Sequence, residues 1–79
     1  MEIVRGLVVR SSAGHDKGGF FAVINTENDY AFISDGKCRL LEKTKKKKFK
    51  HLSPTNTILG EENLETNRKI RKALRQFYK

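Results

Sequence analysis

The hydrophobic positions of this chain come in short bursts separated by glycine and polar residues. Ile3, Val4, Leu7, Val8 and Val9 form the first burst, and a short run dominated by β-branched residues predicts a strand over residues 3–10 rather than a helix. Residues 14–19 hold three glycines, Gly14, Gly18 and Gly19, and predict a loop able to adopt positive φ or to approach another surface closely. A second strand is expected over residues 20–25 and a third over residues 30–34, joined by the polar connection Thr26, Glu27, Asn28 and Asp29 as a hairpin. Asp35 and Gly36 carry the signature of a type I′ turn, which predicts a fourth strand over residues 38–41. Residues 43–47 then read as a basic linker, and residues 49–52 as a short fifth strand stopped by Ser53 and Pro54. Five short strands with tight turns predict a mainly β fold, a small closed barrel without free sheet edges.

From about Leu64 the period changes. Ile70, Ala73, Leu74 and Phe77 stand at i, i+3, i+4 and i+7, the spacing of one helical face, while Arg68, Lys72, Arg75 and Lys79 gather on the opposite side. The tail is therefore expected to be an amphipathic basic helix without a clear capping box. Its apolar stripe has two uses: packing on the protein's own barrel, or docking into the groove of a transcription or translation assembly. The organisation expected is a barrel over residues 1–56 followed by a linker and helix over residues 57–79.

Composition narrows what such a fold can do. Seventy-nine residues at 9.1 kDa make one small domain, and an apolar fraction of 37% leaves a thin core. A large enzyme with a deep cleft is thereby disfavoured. Seventeen Lys and Arg against nine Asp and Glu give a net charge of +8. The excess is uneven: residues 1–36 carry a net −2, residues 37–52 a net +7, and residues 53–79 a net +3. A basic second half joined to a faintly acidic first half points to a polyanionic partner. The longest apolar run is five residues, 20–24, far below the ~18 of a membrane span, and the start does not resemble a secretory leader, so a cytoplasmic monomer with no membrane association is expected. Cys38 is a single cysteine, which suits a reducing compartment, and with His15 and His51 it lacks the paired spacing of a zinc site.

Candidate chemistry concentrates in two stretches. In the glycine loop, Gly14 and Gly18 can expose backbone N–H groups, with Lys17, to a phosphate, although the GxxxxGKS/T spacing of a P-loop is absent. Asp16 reads as a turn residue. Lys43, Lys45, Lys46, Lys47, Lys48, Lys50 and His51 form the more informative stretch. Crowded ammonium groups repel one another, whereas laying them along a phosphate backbone releases condensed counterions. Strand alternation would point Lys48 and Lys50 outward and Phe49 inward, with His51 on the side of Phe49. Phe20, Phe21, Tyr30, Phe32 and Phe49 could stack on unpaired bases but are assigned mainly to the core, and Tyr78 stands at the margin of the helical stripe. Ser11, Ser12, His15 and Cys38 assemble no catalytic triad, so no enzymatic activity, cofactor or small-molecule substrate is expected.

Residues 4–30 resemble the KOW motif: the strand Val4, Arg5, Gly6, Leu7, Val8, Val9; then Ser12, Ala13, Gly14, His15, Asp16, Lys17, Gly18; then Phe20, Phe21, Ala22, Val23, Ile24. Gly14 takes the place of the motif's hallmark glycine. With Ile33, Ser34, Asp35 and Gly36 and the lysine run from Lys45 to Lys48, residues 3–56 are similar to short bacterial KOW-domain RNA-binding proteins, and through them to KOW-containing large-subunit ribosomal proteins. The resemblance implies an SH3-like barrel that binds structured, ribosomal RNA in association with the ribosome or its proteins. It carries Lys17 over as a contact from the motif, and Lys45, Lys46, Lys47, Lys48, Lys50 and His51 from the basic segment. Thr44 stands where many relatives have proline.

Overall fold

A computed structural model describes residues 2–78. Five strands form one antiparallel sheet: β1 (Leu7–Ser11), β2 (Phe20–Glu27), β3 (Tyr30–Ser34), β4 (Lys45–Lys48) and β5 (Leu52–Ile58), in the spatial order β4-β3-β2-β1-β5. One helix, α1 (Asn67–Leu74), follows near the C-terminus. The two edge strands, β4 and β5, are joined only by the 3₁₀ turn Phe49–His51, so the sheet curls enough to bring their adjoining ends together. No ladder between β4 and β5 closes it, and the sheet is not a closed barrel.

Strand alternation divides the apolar residues between the two faces of the sheet. Leu7, Val9, Phe21, Val23, Ala31, Ile33 and Leu52 pack together inside the curl, with Ile3 and Phe49 against them. Val8 and Ala22 point the other way, onto Leu59, Leu64, Ile70 and Leu74 from the C-terminal segment. β1 is thus covered on both sides, which accounts for its nearly continuous Leu and Val run. The helical stripe meets this outer face of β1 and β2: Ile70 and Leu74 are buried and Ala73 and Phe77 pack beside them. Phe20 stacks on Phe77 at 5.1 Å and meets Tyr78 edge-on, while the Tyr78 hydroxyl accepts the Phe20 N–H at 2.7 Å. Of the two uses open to the stripe, the fold takes internal packing, and its apolar face is not available for a partner's groove.

Further expectations from sequence are corrected. Residues 38–41 are not a strand. Asp35 Oδ1 accepts the N–H groups of Lys37, Cys38 and Arg39 at 2.8–2.9 Å, and Ser34 Oγ donates to the Arg39 carbonyl at 2.6 Å, so side chains staple the chain into a compact loop. Gly36, at φ +73°, is required for close approach: a Cβ there would lie 2.1 Å from the Asn67 carbonyl oxygen. The supposed linker is β4 itself, with Lys45, Lys46, Lys47 and Lys48 opposite Ile33, Phe32, Ala31 and Tyr30. Lysines suit an edge strand, where charge discourages pairing with another sheet. Finally, Pro54 lies inside β5, opposite Val9, rather than ending a strand. An edge strand tolerates a residue without an N–H to donate. The expected boundary at residue 56 therefore cuts a strand. The helix begins at Asn67, where the Thr66 hydroxyl accepts the Lys69 N–H at 3.1 Å as an N-cap.

Candidate nucleic-acid interface

α1 covers the outer face of the sheet over β1 and β2, leaving the part formed by β3 and β4. The register sets what stands there. Ala31 and Ile33 turn into the core, so Tyr30 and Phe32 face outward, and their partners Lys48 and Lys46 face outward with them. The Lys46 ammonium lies 4.5 Å from the Tyr30 ring centroid and 5.9 Å from that of Phe32, and the Lys48 ammonium 5.9 Å from Tyr30. Glu27 adds a carboxylate 3.5 Å from Lys46. Both members of that ion pair are about half exposed, so it contributes little and is readily exchanged for another anion. Lys43 and Lys45 precede this patch and Lys50 follows it, all exposed; His51 is half-buried and its carbonyl accepts the Ser12 N–H. The result is a strip of cations interleaved with two aromatic rings.

Lys47 has a different environment from its neighbours. Its side chain is 9% exposed, and its ammonium donates to the Ala13 carbonyl at 2.8 Å and Ser11 Oγ at 3.3 Å, 3.8 Å from Asp16 Oδ2. Asp16 is also held by Arg39, with contacts of 3.1 and 3.2 Å. Asp16 therefore ties the glycine loop to β4 and to the loop after β3, and Lys47 is a tether inside the molecule rather than a contact for RNA. The counted run of lysines concealed this because one residue in two of a strand points to the core side.

The glycine loop is likewise more self-contained than its sequence implied. The N–H groups of Lys17 and Gly19 donate to the Gly14 and Asp16 carbonyls within the loop, and that of Gly18 donates to the Ser11 carbonyl at the end of β1. Those donors are not offered to a phosphate. Gly14 and Gly18 serve positive φ, at +74° and +88°, and a Cβ on Gly14 would come within 3.3 Å of the Lys47 ammonium. The loop presents His15 and Lys17 outward, and Lys17 lines a shallow groove with Arg10, Ser12 and Ser53. Arg68 and Lys72 are exposed on α1 and Arg75 just past its end, and of the three Arg75 joins a cluster, beside Asp35, Lys37, Arg71 and Tyr78. Lys79 lies outside the described residues. Arg10, Lys37 and Arg71 are cations that the sequence reading left out. Tyr30 and Phe32, assigned mainly to the core from sequence, are the more instructive correction, because they stand on the outer face. Two residues apart in a strand, they share the face opposite Ala31 and Ile33, and that parity was the signal available.

Among the described residues, no group of three or more His, Cys, Asp or Glu side chains is placed to hold a metal ion, and no helix is long and apolar enough to cross a membrane. Cys38 is a free, exposed thiol. No protein-family model matches the chain, and no curated protein matches it in sequence.

Proposed function

We propose that this chain is a non-enzymatic RNA-binding module of KOW type, its curled sheet an open relative of the SH3-like barrel, acting on ribosomal RNA in the cytoplasm. The observation that carries the reading is the outward strip of Lys46, Lys48, Tyr30 and Phe32, continued by Lys43, Lys45 and Lys50. A rigid sheet holds these ammonium groups close together, and a phosphate backbone is the partner whose charge spacing relieves their repulsion. Lys17 with Arg10, and Arg75 with Lys37 and Arg71, extend positive charge beyond the strip. Contacts of this kind orient a protein on RNA without reading sequence, so recognition rests on RNA shape.

The test is a salt titration. With four to six phosphates neutralised, log K against log salt should fall with a slope of roughly −3 to −5. Replacing Lys45, Lys46, Lys48 and Lys50 together by Ala should flatten that slope by about three while circular dichroism stays unchanged. Affinity independent of salt, in the unaltered protein, overturns the reading.

A further inference from the structure

Lys48, Lys50, Asp29, Tyr30 and Phe49 line an open groove of about 390 Å³ at the end of the β2–β3 hairpin, at the small end of the range for ligand sites. Its composition is not that of a plain phosphate-binding surface. Two partly buried aromatic rings stand beside two exposed lysines and one exposed carboxylate. A phosphate alone would use the two lysines but leave the rings and the Asp29 carboxylate without a role.

We infer that this groove takes one unpaired nucleotide of the bound RNA, its base on Tyr30 and its phosphate on Lys48 and Lys50. The inference rests on the RNA-binding reading above and adds a second component to it. An aromatic face can stack only on a base released from a duplex, because paired bases present no free face. Asp29 accepts hydrogen bonds and donates none, which suits the N–H edge of a base rather than a phosphate. Phe49 is fixed from below: its side chain packs on the core inside the sheet, and its N–H donates to the Asp29 carbonyl at 2.8 Å. One wall of the groove is therefore rigid and tied to the residue opposite. Tyr30 already has the Lys46 ammonium at 4.5 Å, so its ring serves as a cation platform before RNA arrives. An exposed cation–π contact is the weaker of the two interactions, so a base displaces Lys46 from the ring and frees its ammonium for a phosphate.

The experiment compares a hairpin RNA carrying an unpaired loop, with 2-aminopurine at one loop position in turn, against a closed duplex of equal length. The unaltered protein should bind both, prefer the looped RNA, and quench 2-aminopurine at one position. Tyr30→Leu should weaken binding to the looped RNA about tenfold and to the duplex by much less. Tyr30→Phe, which keeps the ring, should bind both as the unaltered protein does. Equal loss on the two RNAs for Tyr30→Leu, or 2-aminopurine unquenched at every position despite tight binding, overturns the nucleotide site while leaving the backbone reading standing. Failure of the unaltered protein to bind either RNA overturns both.

Discussion

The four consecutive lysines of β4 should separate into two classes under mutation, and Lys47→Ala against Lys48→Ala is the sharpest comparison. Lys47 is almost fully buried, with hydrogen bonds to the Ala13 carbonyl and Ser11 Oγ and the Asp16 carboxylate 3.8 Å away. Hydrogen bonds involving a charged group contribute about 1.5–3 kcal/mol each, and removal leaves buried acceptors partly unpartnered. Arg39 still holds Asp16, which limits the damage. Loss of about 2–3 kcal/mol is expected for Lys47→Ala, allowing for the two contacts not being additive. In a domain of this size each kcal/mol shifts Tm by roughly 4–8 °C, so the transition should fall by about 10–20 °C. Lys48 is exposed, and substitutions at such positions stay within about 0.5 kcal/mol. Its removal should instead lower RNA affinity and reduce the salt slope by about 0.7–0.9. Thermal denaturation followed by circular dichroism reads the first quantity and fluorescence anisotropy with labelled RNA the second. Equal melting temperatures for the two variants would refute the assignment of Lys47 as an internal tether.

Other consequences follow from the packing. Leu74→Ala should cost about 2–5 kcal/mol by opening a cavity between α1 and the sheet, measured by urea denaturation, and it should release the helix if the stripe is seated as described. Gly36→Ala places a methyl group 2.1 Å from the Asn67 carbonyl in a backbone conformation that L-residues avoid; a loss above about 1 kcal/mol is expected, with disturbed Asn67 and Arg71 resonances in NMR spectra. The Arg5 guanidinium hydrogen-bonds Glu61 and holds its carboxyl below the usual carboxylate range. A carboxyl lowered by folding stabilises the native state above its unfolded pKa, and that contribution fades as pH falls through the folded value. NMR titration should show the Glu61 pKa rising in Arg5→Ala.

Much of the candidate site was legible in the residues, though not its arrangement. Charge concentrated between residues 37 and 52 identified the cationic surface, and the Val-rich and Phe-rich runs identified β1 to β3, because composition and short-range period survive in any fold that buries them. The helical stripe was equally plain, since a 3.6-residue period is a local property. The course of the chain after β3 was not legible. Asp35 and Gly36 hold a hairpin turn's sequence, yet Asp35 spends its carboxylate on three backbone N–H groups and Gly36 makes room for the start of α1. The choice between those uses depended on a residue thirty-one positions away, Asn67, whose carbonyl lies against Gly36.

What the sequence alone determined is the inventory: a mainly β domain, a basic tail helix with one apolar face, and a crowd of lysines. Tertiary structure decided which lysines face water. The pairing of Lys47 with Ala31 and of Lys48 with Tyr30 sends one ammonium onto Asp16 and the other beside an aromatic ring. Neighbours in a strand point to opposite faces, so a shift of one residue in that register would exchange their roles, and register is set by contacts across the sheet rather than along the chain.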